Sequence, residues 1–120
     1  MINGFEEQTK PLNDYELTKL VPIVAKGLKF HKGKHNAVTS EHICKCLTAQ
    51  GYKINPARLR KVVNHIRVNN IVSNVVASSN GYWVSEDREE IKAHITSLIS
   101  RARAIMAVGD ALNKQVTILN

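Results

Sequence analysis

The sequence predicts a mainly α-helical fold with one small β-hairpin, an α+β fold class, that ends in a long C-terminal helix. Apolar residues recur at helical spacing in four separate segments, and a β-branched segment with a central turn cluster interrupts them at residues 71–84. The length of 120 residues suits one modest hydrophobic core. We therefore expect an arm at residues 1–13, a core domain at 14–85 and a long helix within 86–120.

The first helix is predicted over residues 14–29, where apolar residues repeat at Leu17, Leu20, Val21, Val24 and Leu28. Pro22 should kink this helix or split it, because proline lacks the backbone N–H and crowds the preceding turn. A polar turn at 31–36 and one short strand at 37–39 should follow.

The second helix is predicted to begin at a Thr39 or Ser40 cap, to bury Ile43 and Leu47, and to end at Gly51, which tolerates a left-handed conformation. The third is predicted over residues 56–70, within the stretch NPARLRKVVNHIRVNN. Asn followed by Pro is a strong signal for a helix start. The inward stripe of the third helix is Leu59, Val62, Val63 and Ile66.

A hairpin is predicted next, since IVSNVVA and YWV favour strands and SSNG favours a tight turn. Asn80 and Gly81 should supply the positive φ angles of that turn. Tyr82 and Trp83 alternate along the second strand, so one should pack inward and the other should be partly exposed.

The last helix is predicted from about residue 86 to 113, with a good N-terminal cap at Ser85 and acidic residues in its first turn. Its apolar positions alternate steps of four and three residues, which is typical of a coiled-coil seam. This seam can fold back on its own domain or pair with a second chain, and we favour a homodimer. The residues expected to mediate it are Ile95, Leu98, Ala102, Ile105 and Leu112.

The net charge of +7 is concentrated in the middle of the chain. Residues 17–85 contain eleven Lys and Arg against the single acid Glu41, and no carboxylate occurs from His42 to Ser85. Solvated helix faces normally mix charges of both signs. A surface of one sign favours a polyanionic partner, because basic side chains displace the counterions condensed on phosphates.

The order of the elements, with TSEHICKCLTAQGYKINPARLRKVVNHIRVNNIV followed by NVVASSNGYWV, resembles a winged helix-turn-helix domain of the small bacterial and phage type. The resemblance covers residues 14–85. It implies that the third helix lies in the major groove of double-stranded DNA and that the hairpin is the wing, in a transcriptional or replication regulator. The hairpin tip, Ser78 to Asn80, lacks the Arg or Lys that a DNA-reading wing often carries.

The polar residues of the third helix divide by chemistry. Arg58, Lys61 and Asn64 are candidates for base edges, since Arg suits guanine and Asn suits adenine. The candidates for phosphate or other backbone contact are Arg60, His65, Arg67, Asn55, Lys53 and Lys34.

Other functions have less support in the sequence. It contains no phosphate-binding glycine loop, nucleophile elbow or paired acids, so we expect neither an enzyme nor a small-molecule substrate or cofactor. The five histidines lack metal-ligand spacing, and Cys44 and Cys46 are expected to be reduced thiols. With neither a signal peptide nor a membrane span expected, a cytoplasmic location follows. A winged-helix module that binds protein instead, or structured RNA, remains an alternative.

Overall fold

The computed structural model describes residues 9–119, so most of the expected N-terminal arm, residues 1–8, lies outside the described part. The fold is mainly helical with one two-stranded antiparallel hairpin and a long C-terminal helix, which confirms the predicted α+β class. The elements are a π-helical turn (Glu16–Leu20), α1 (Val21–Leu28), a 3₁₀ turn (Lys34–Asn36), α2 (Ser40–Ala49), α3 (Pro56–Val68), β1 (Val75–Ser78), β2 (Gly81–Val84) and α4 (Arg88–Val116). The chain divides into two compact units, Met1–Glu86 and Asp87–Asn120.

The first helix accommodates Pro22 by widening one turn. The backbone N–H of Val21 bonds to the carbonyl of Glu16, five residues back. The π-helical turn inserts an extra residue just before the proline, and helical backbone continues through α1. It also shifts the helical phase, so that Glu16 is buried and Leu17, which we predicted to face inward, is 40% exposed.

The core of the first unit lies where α1, α2 and α3 meet the hairpin. Fully or almost fully buried side chains come from each helix and from β1, and Trp83 is buried whereas Tyr82 is only partly so, as predicted. The apolar members of the core cluster are Leu20, Val21, Val24, Ala25, Leu28, Val38, Leu47, Leu59, Val62, Val63, Ile66, Val72 and Val75.

The two strands pair in register from Val75 opposite Val84 to Ser78 opposite Gly81. Gly81 has a φ of 112°, but Asn80 does not adopt the positive φ that the sequence led us to expect. The short strand predicted at 37–39 is reduced to one bridge, in which Val38 and Tyr82 exchange backbone hydrogen bonds of 2.9 and 2.8 Å.

The second unit is α4, a helix of 29 residues that extends three residues beyond the predicted end at 113. Its N-terminus is capped by Asp87, whose side chain accepts a hydrogen bond from the N–H of Glu89. No residue of α4 is buried.

Candidate nucleic-acid interface

Helix α3 is fixed at both ends by side-chain and backbone caps. At the start, the Asn55 side chain accepts a 2.9 Å hydrogen bond from the N–H of Arg58, and Pro56 occupies the first turn. At the end, Asn70 adopts a left-handed φ of 53°, and the N–H of Ile71 bonds to the carbonyl of Ile66. This is a Schellman motif with asparagine in the position that glycine usually occupies. The helix is therefore a rigid platform for its outward side chains.

The outward face of α3 lies opposite its buried stripe. Lys61, Asn64, His65 and Val68 border a shallow depression on this face, together with Asn69. Asn64 is exposed, and Val68 is 84% exposed although it is apolar. The surface therefore combines a cation, an amide and an aliphatic group within two helical turns.

Arg60 lies on the side of α3 that faces the hairpin. It borders a second depression whose other walls come from the start of α2 and the hairpin tip, namely Thr39, Ser40, Ala77, Ser78, Ser79, Gly81 and Tyr82. Five of these residues carry hydroxyl groups, which can donate to phosphate oxygens, and Ser78 and Ser79 are at the hairpin tip. Arg60 of α3 therefore places a positive charge beside the uncharged hairpin tip.

Tyr82, on β2, borders the same depression as Arg60. Its phenol is raised in pKa chiefly by burial, and the positive charges of Arg60 and Arg67 act on it in the opposite direction. Arg60 and Arg67 are seven residues apart, which is about two turns of α3, so both lie on the same side of the helix. Arg67 is half-buried there.

Gly81 brings the hairpin close to the start of α2. A Cβ atom at this position would lie 2.2 Å from the carbonyl oxygen of Val38 and 2.8 Å from the nitrogen of Thr39. Only glycine permits this approach, because any side chain would overlap backbone atoms. The contact holds the hairpin tip against the N-terminal cap of α2, which Thr39 forms by accepting from the N–H of His42.

Arg58 does not belong to the outward face, which corrects its assignment as a base-contacting residue. Its Nε and Nη2 donate to the two carboxylate oxygens of Glu16 at 2.7 and 2.6 Å, and the two side chains are only 12% and 5% exposed. Its guanidinium also donates to the carbonyls of Lys10 and Pro11, at 2.9 and 3.1 Å. Arg58 therefore links residues 10–16 to α3.

Three other predicted residues have different surroundings. The Asn55 side chain caps the N-terminus of α3. At this N-terminus, therefore, the exposed backbone N–H groups are left as candidates for contact with a phosphate. Lys53 is exposed beside Asn55, and its carbonyl accepts from the hydroxyl of Tyr15. Lys34 lies in the 3₁₀ turn, which bonds to β2 through Gly33 and Val84, at the opposite end of that strand from Gly81. The structure does not bring Lys34 to the side of the hairpin where Arg60 lies.

His65 is half-buried at the edge of the outward face. Its Nδ1 lies 3.3 Å from the side-chain nitrogen of Asn69, which also donates to the His65 carbonyl at 2.9 Å. When the amide donates to Nδ1, the imidazole proton is on Nε2, which can then donate to an acceptor such as a phosphate. Asn69 thus orients a candidate phosphate ligand, a role that its place at the helix end did not suggest.

His42, Cys44 and Cys46 of α2 are residue types that can bind a metal ion, and a long apolar helix can span a membrane. The Sγ of Cys46 lies 3.4 Å from Nε2 of His42, one turn apart on α2, but within residues 9–119 no three metal-ligating side chains gather in one place. Both cysteines are free thiols, and burial raises the pKa of Cys44. Among the described helices, none combines the length and hydropathy needed to cross a bilayer.

The predicted dimerisation residues lie along one exposed stripe of α4. Ile95 and Leu98 are about half-exposed, Ile105 is 73% exposed and Leu112 is 58% exposed. Ala102 is exposed as well. The helix therefore presents its apolar seam openly.

Comparison with known proteins finds no family model that matches this chain, and no match among curated proteins or solved structures. The function must therefore follow from the chemistry of the α3 surface and of the exposed seam.

Proposed function

We propose that this protein binds double-stranded DNA as a winged helix-turn-helix regulator, with α3 in the major groove and the hairpin as the wing. The observation that carries the proposal is the unopposed positive charge of α3, with Lys61 and Asn64 on the outward face, Arg60 on the hairpin side and no acidic residue between His42 and Ser85. Among residues 9–119, neither Arg60 nor Lys61 takes part in an ion pair, whereas Arg58 does. A face with this charge is suited to phosphates.

The size of α3 supports the same function. A helix of 13 residues is about 20 Å long and 10–12 Å wide with its side chains, and the major groove of B-DNA is about 12 Å wide. The caps at both ends keep the helix intact to its last turn, so the outward side chains keep a fixed register. The π-helical turn, α1 and α2 pack behind it.

The side chains divide into two groups under this proposal. Lys61 and Asn64 would reach base edges, and the exposed Val68 would meet a thymine methyl group, which apolar side chains recognise. Arg60, Arg67 and His65 would hold phosphates, joined by the hydroxyls of Ser78 and Ser79 at the hairpin tip.

The exposed seam of α4 supports a homodimer as the binding species. Two copies of α3 related by a two-fold axis would match the two halves of a palindromic site. The proposal includes a cytoplasmic location and a role in regulating transcription or replication of bacterial or phage DNA.

The test is binding to random-sequence duplex DNA across a salt series, with the mass in solution measured in parallel. We expect binding in the micromolar range that weakens steeply with salt, because each neutralised phosphate contributes about −0.9 to the log–log slope. The double variant Arg60→Glu, Lys61→Glu should abolish binding and leave helical content and mass unchanged. Unchanged binding by this variant would exclude α3 as the DNA-contacting element.

A protein-binding module is the second candidate, because two exposed apolar side chains, Val68 and Ile71, lie near the end of α3 and the hairpin tip carries no charge. Absence of DNA binding even at low salt would favour it. Tighter binding to a double-stranded RNA of matched length would favour recognition of RNA instead.

A further inference from the structure

The apolar stripe of α4 has large residues at one set of seam positions and smaller ones at the other. Every second seam position is large, at Ile91, Leu98, Ile105 and Leu112. The intervening positions are Ile95, Ala102, Gly109 and Val116, so the two in the middle have almost no side chain. This alternation of large and small residues indicates the direction in which a partner helix would pack on α4.

Gly109 is the most informative position. Glycine in a helix interior costs about 1 kcal/mol relative to alanine. Nothing within the chain accounts for it, since no atom lies within 4 Å of an added Cβ and no positive φ is present. The missing side chain leaves a shallow depression bordered by Leu112, Asn113 and Val116. A close approach from outside the chain is the remaining reason for a glycine here.

The small residues Ala102 and Gly109 would pack poorly in a parallel pair of α4 helices. In a parallel, in-register pair each seam residue meets its own copy, so Ala102 would face Ala102 and Gly109 would face Gly109. These two small layers, one on each side of the Ile105 layer, would leave voids in the middle of the seam, where packing should be densest.

We propose that α4 pairs with a second copy of itself in the antiparallel direction, with the two-fold axis between Arg103 and Ala104. The proposal rests on the dimer included in the proposed function and specifies its direction and register. In this arrangement every layer combines a position of one set with a position of the other. The layers are Ile91 with Val116, Ile95 with Leu112, Leu98 with Gly109, and Ala102 with Ile105.

In the antiparallel pair, large and small side chains match best in the layers that contain Ala102 and Gly109, which are the layers that would have voids in a parallel pair. Leu98 of one copy enters the depression at Gly109 of the other, and Ile105 covers Ala102. Large side chains thus fill the space that small ones leave, which keeps the volume per layer even. The same register brings Ile99 of one helix beside Met106 of the other, on the edge where the stripe widens.

The charges of α4 are compatible with a second copy as the occupant. Arg103, Asp110 and Lys114 lie on the side of the helix away from the stripe, Arg101 lies at its edge, and no seam position from Ile91 to Val116 carries an ionised group. A stable interface buries about 800 Å² on each partner, or roughly 100 Å² for each of eight side chains. Eight large apolar residues of α4 are 39–73% exposed and can supply this area: Ile95, Leu98, Ile99, Ile105, Met106, Val108, Leu112 and Val116.

The direction determines where the two DNA-binding units are attached. At a rise of 1.5 Å per residue, antiparallel pairing separates the two copies of Arg88 by about 45 Å, whereas parallel pairing would place them side by side. The spacing of the two halves of a DNA site depends on this difference.

The test is disulfide trapping in the full-length protein with both native thiols removed, as Cys44→Ala, Cys46→Ala. In this background, Ile95→Cys and Leu112→Cys are prepared as two separate proteins, mixed in equal amounts, refolded together and oxidised mildly. We expect a mixed disulfide between the two proteins and almost no disulfide when either is oxidised alone. Ala104→Cys, on the side away from the stripe, is the control for random collision.

The outcomes separate the direction from the dimer itself. Disulfides formed by each protein alone would show parallel pairing and overturn the proposal. A dimeric mass without any disulfide would overturn the register, and a monomeric mass would overturn the dimer as well. DNA binding measured on the same samples reports independently on the α3 surface.

Discussion

Arg58 in α3 and Glu16 in the first helical turn form a two-point ion pair, with hydrogen bonds of 2.7 Å from Nε to Oε2 and 2.6 Å from Nη2 to Oε1. Glu16 also closes a capping box with Asn13, since each side chain accepts from the backbone N–H of the other at 2.9 and 2.8 Å. One carboxylate thus caps the N-terminus of the first helix and holds this helix to α3. The pair is structural, although it lies on the same helix as the proposed DNA contacts.

The first prediction separates Arg58 from Arg60. Arg58→Met should lower the free energy of unfolding by about 3 kcal/mol, because it leaves the buried Glu16 carboxylate without its cation. Arg60→Met, at an exposed position, should change stability by less than about 0.5 kcal/mol but weaken DNA binding. Urea unfolding and DNA titration of both variants check this. A stable Arg58→Met protein that loses DNA binding would restore Arg58 to the interface.

The second prediction concerns pH. Hydrogen bonding to Arg58 holds the pKa of Glu16 below its usual range, against the opposing effect of burial. The unfolded chain therefore binds the proton first, and stability rises with pH between the folded-state pKa and the ordinary value of about 4.3. The contribution is complete above that value and is lost as the pH falls through the folded-state pKa.

Glu16→Gln should remove this part of the acid sensitivity, because glutamine can keep the capping hydrogen bond but carries no charge. Unfolding free energy measured from pH 6 to pH 3 should fall less steeply in Glu16→Gln than in the original protein. Glu41→Gln is the matched control, since its ion pair with Lys45 is exposed. Equal slopes in all three proteins would argue against the ion pair as a source of stability.

The third prediction tests the approach of the hairpin to α2. Gly81→Ala should destabilise the first unit by more than about 2 kcal/mol, because the added Cβ would overlap the Val38 carbonyl at a positive φ. Gly27→Ala is the control, since Gly27 lies inside α1 with nothing within 4 Å of the added atom. This control should gain about 0.5–1 kcal/mol from helix propensity. Thermal unfolding monitored by circular dichroism compares the two, and similar shifts would contradict the geometry.

The sequence predicted the helices that carry local signals. Asn55 and Pro56 indicated the start of α3, Gly51 indicated the end of α2, and the 3.6-residue periodicity predicted the stripe that is fully buried. Each of these signals depends on residues within a few positions of each other, so the sequence displays them directly.

The missed features depend on residues far apart in the chain. Asn13 and Glu16 have the spacing of a capping box, which could have indicated a structural carboxylate. Nothing local indicates that its partner is Arg58, 42 positions away. The depression beside Arg60 likewise combines α2, α3 and the hairpin tip, and its hydroxyl groups become neighbours only when Gly81 meets Val38. The π-helical turn inserts one residue and shifts the helical phase, so that Glu16 is buried in place of Leu17.

The last prediction measures the number of phosphate contacts on the hairpin side of α3. Arg60→Gln removes one cation beside Ser78 and Ser79, so the slope of log affinity against log salt should become shallower by about one. Lys26→Gln removes the same charge from an exposed position on α1, which packs against the buried side of α3, and should leave the slope unchanged. Both slopes come from binding isotherms at four or more salt concentrations on one random-sequence duplex. An equal loss of slope in both variants would mean that overall charge, and not the position of Arg60, controls binding.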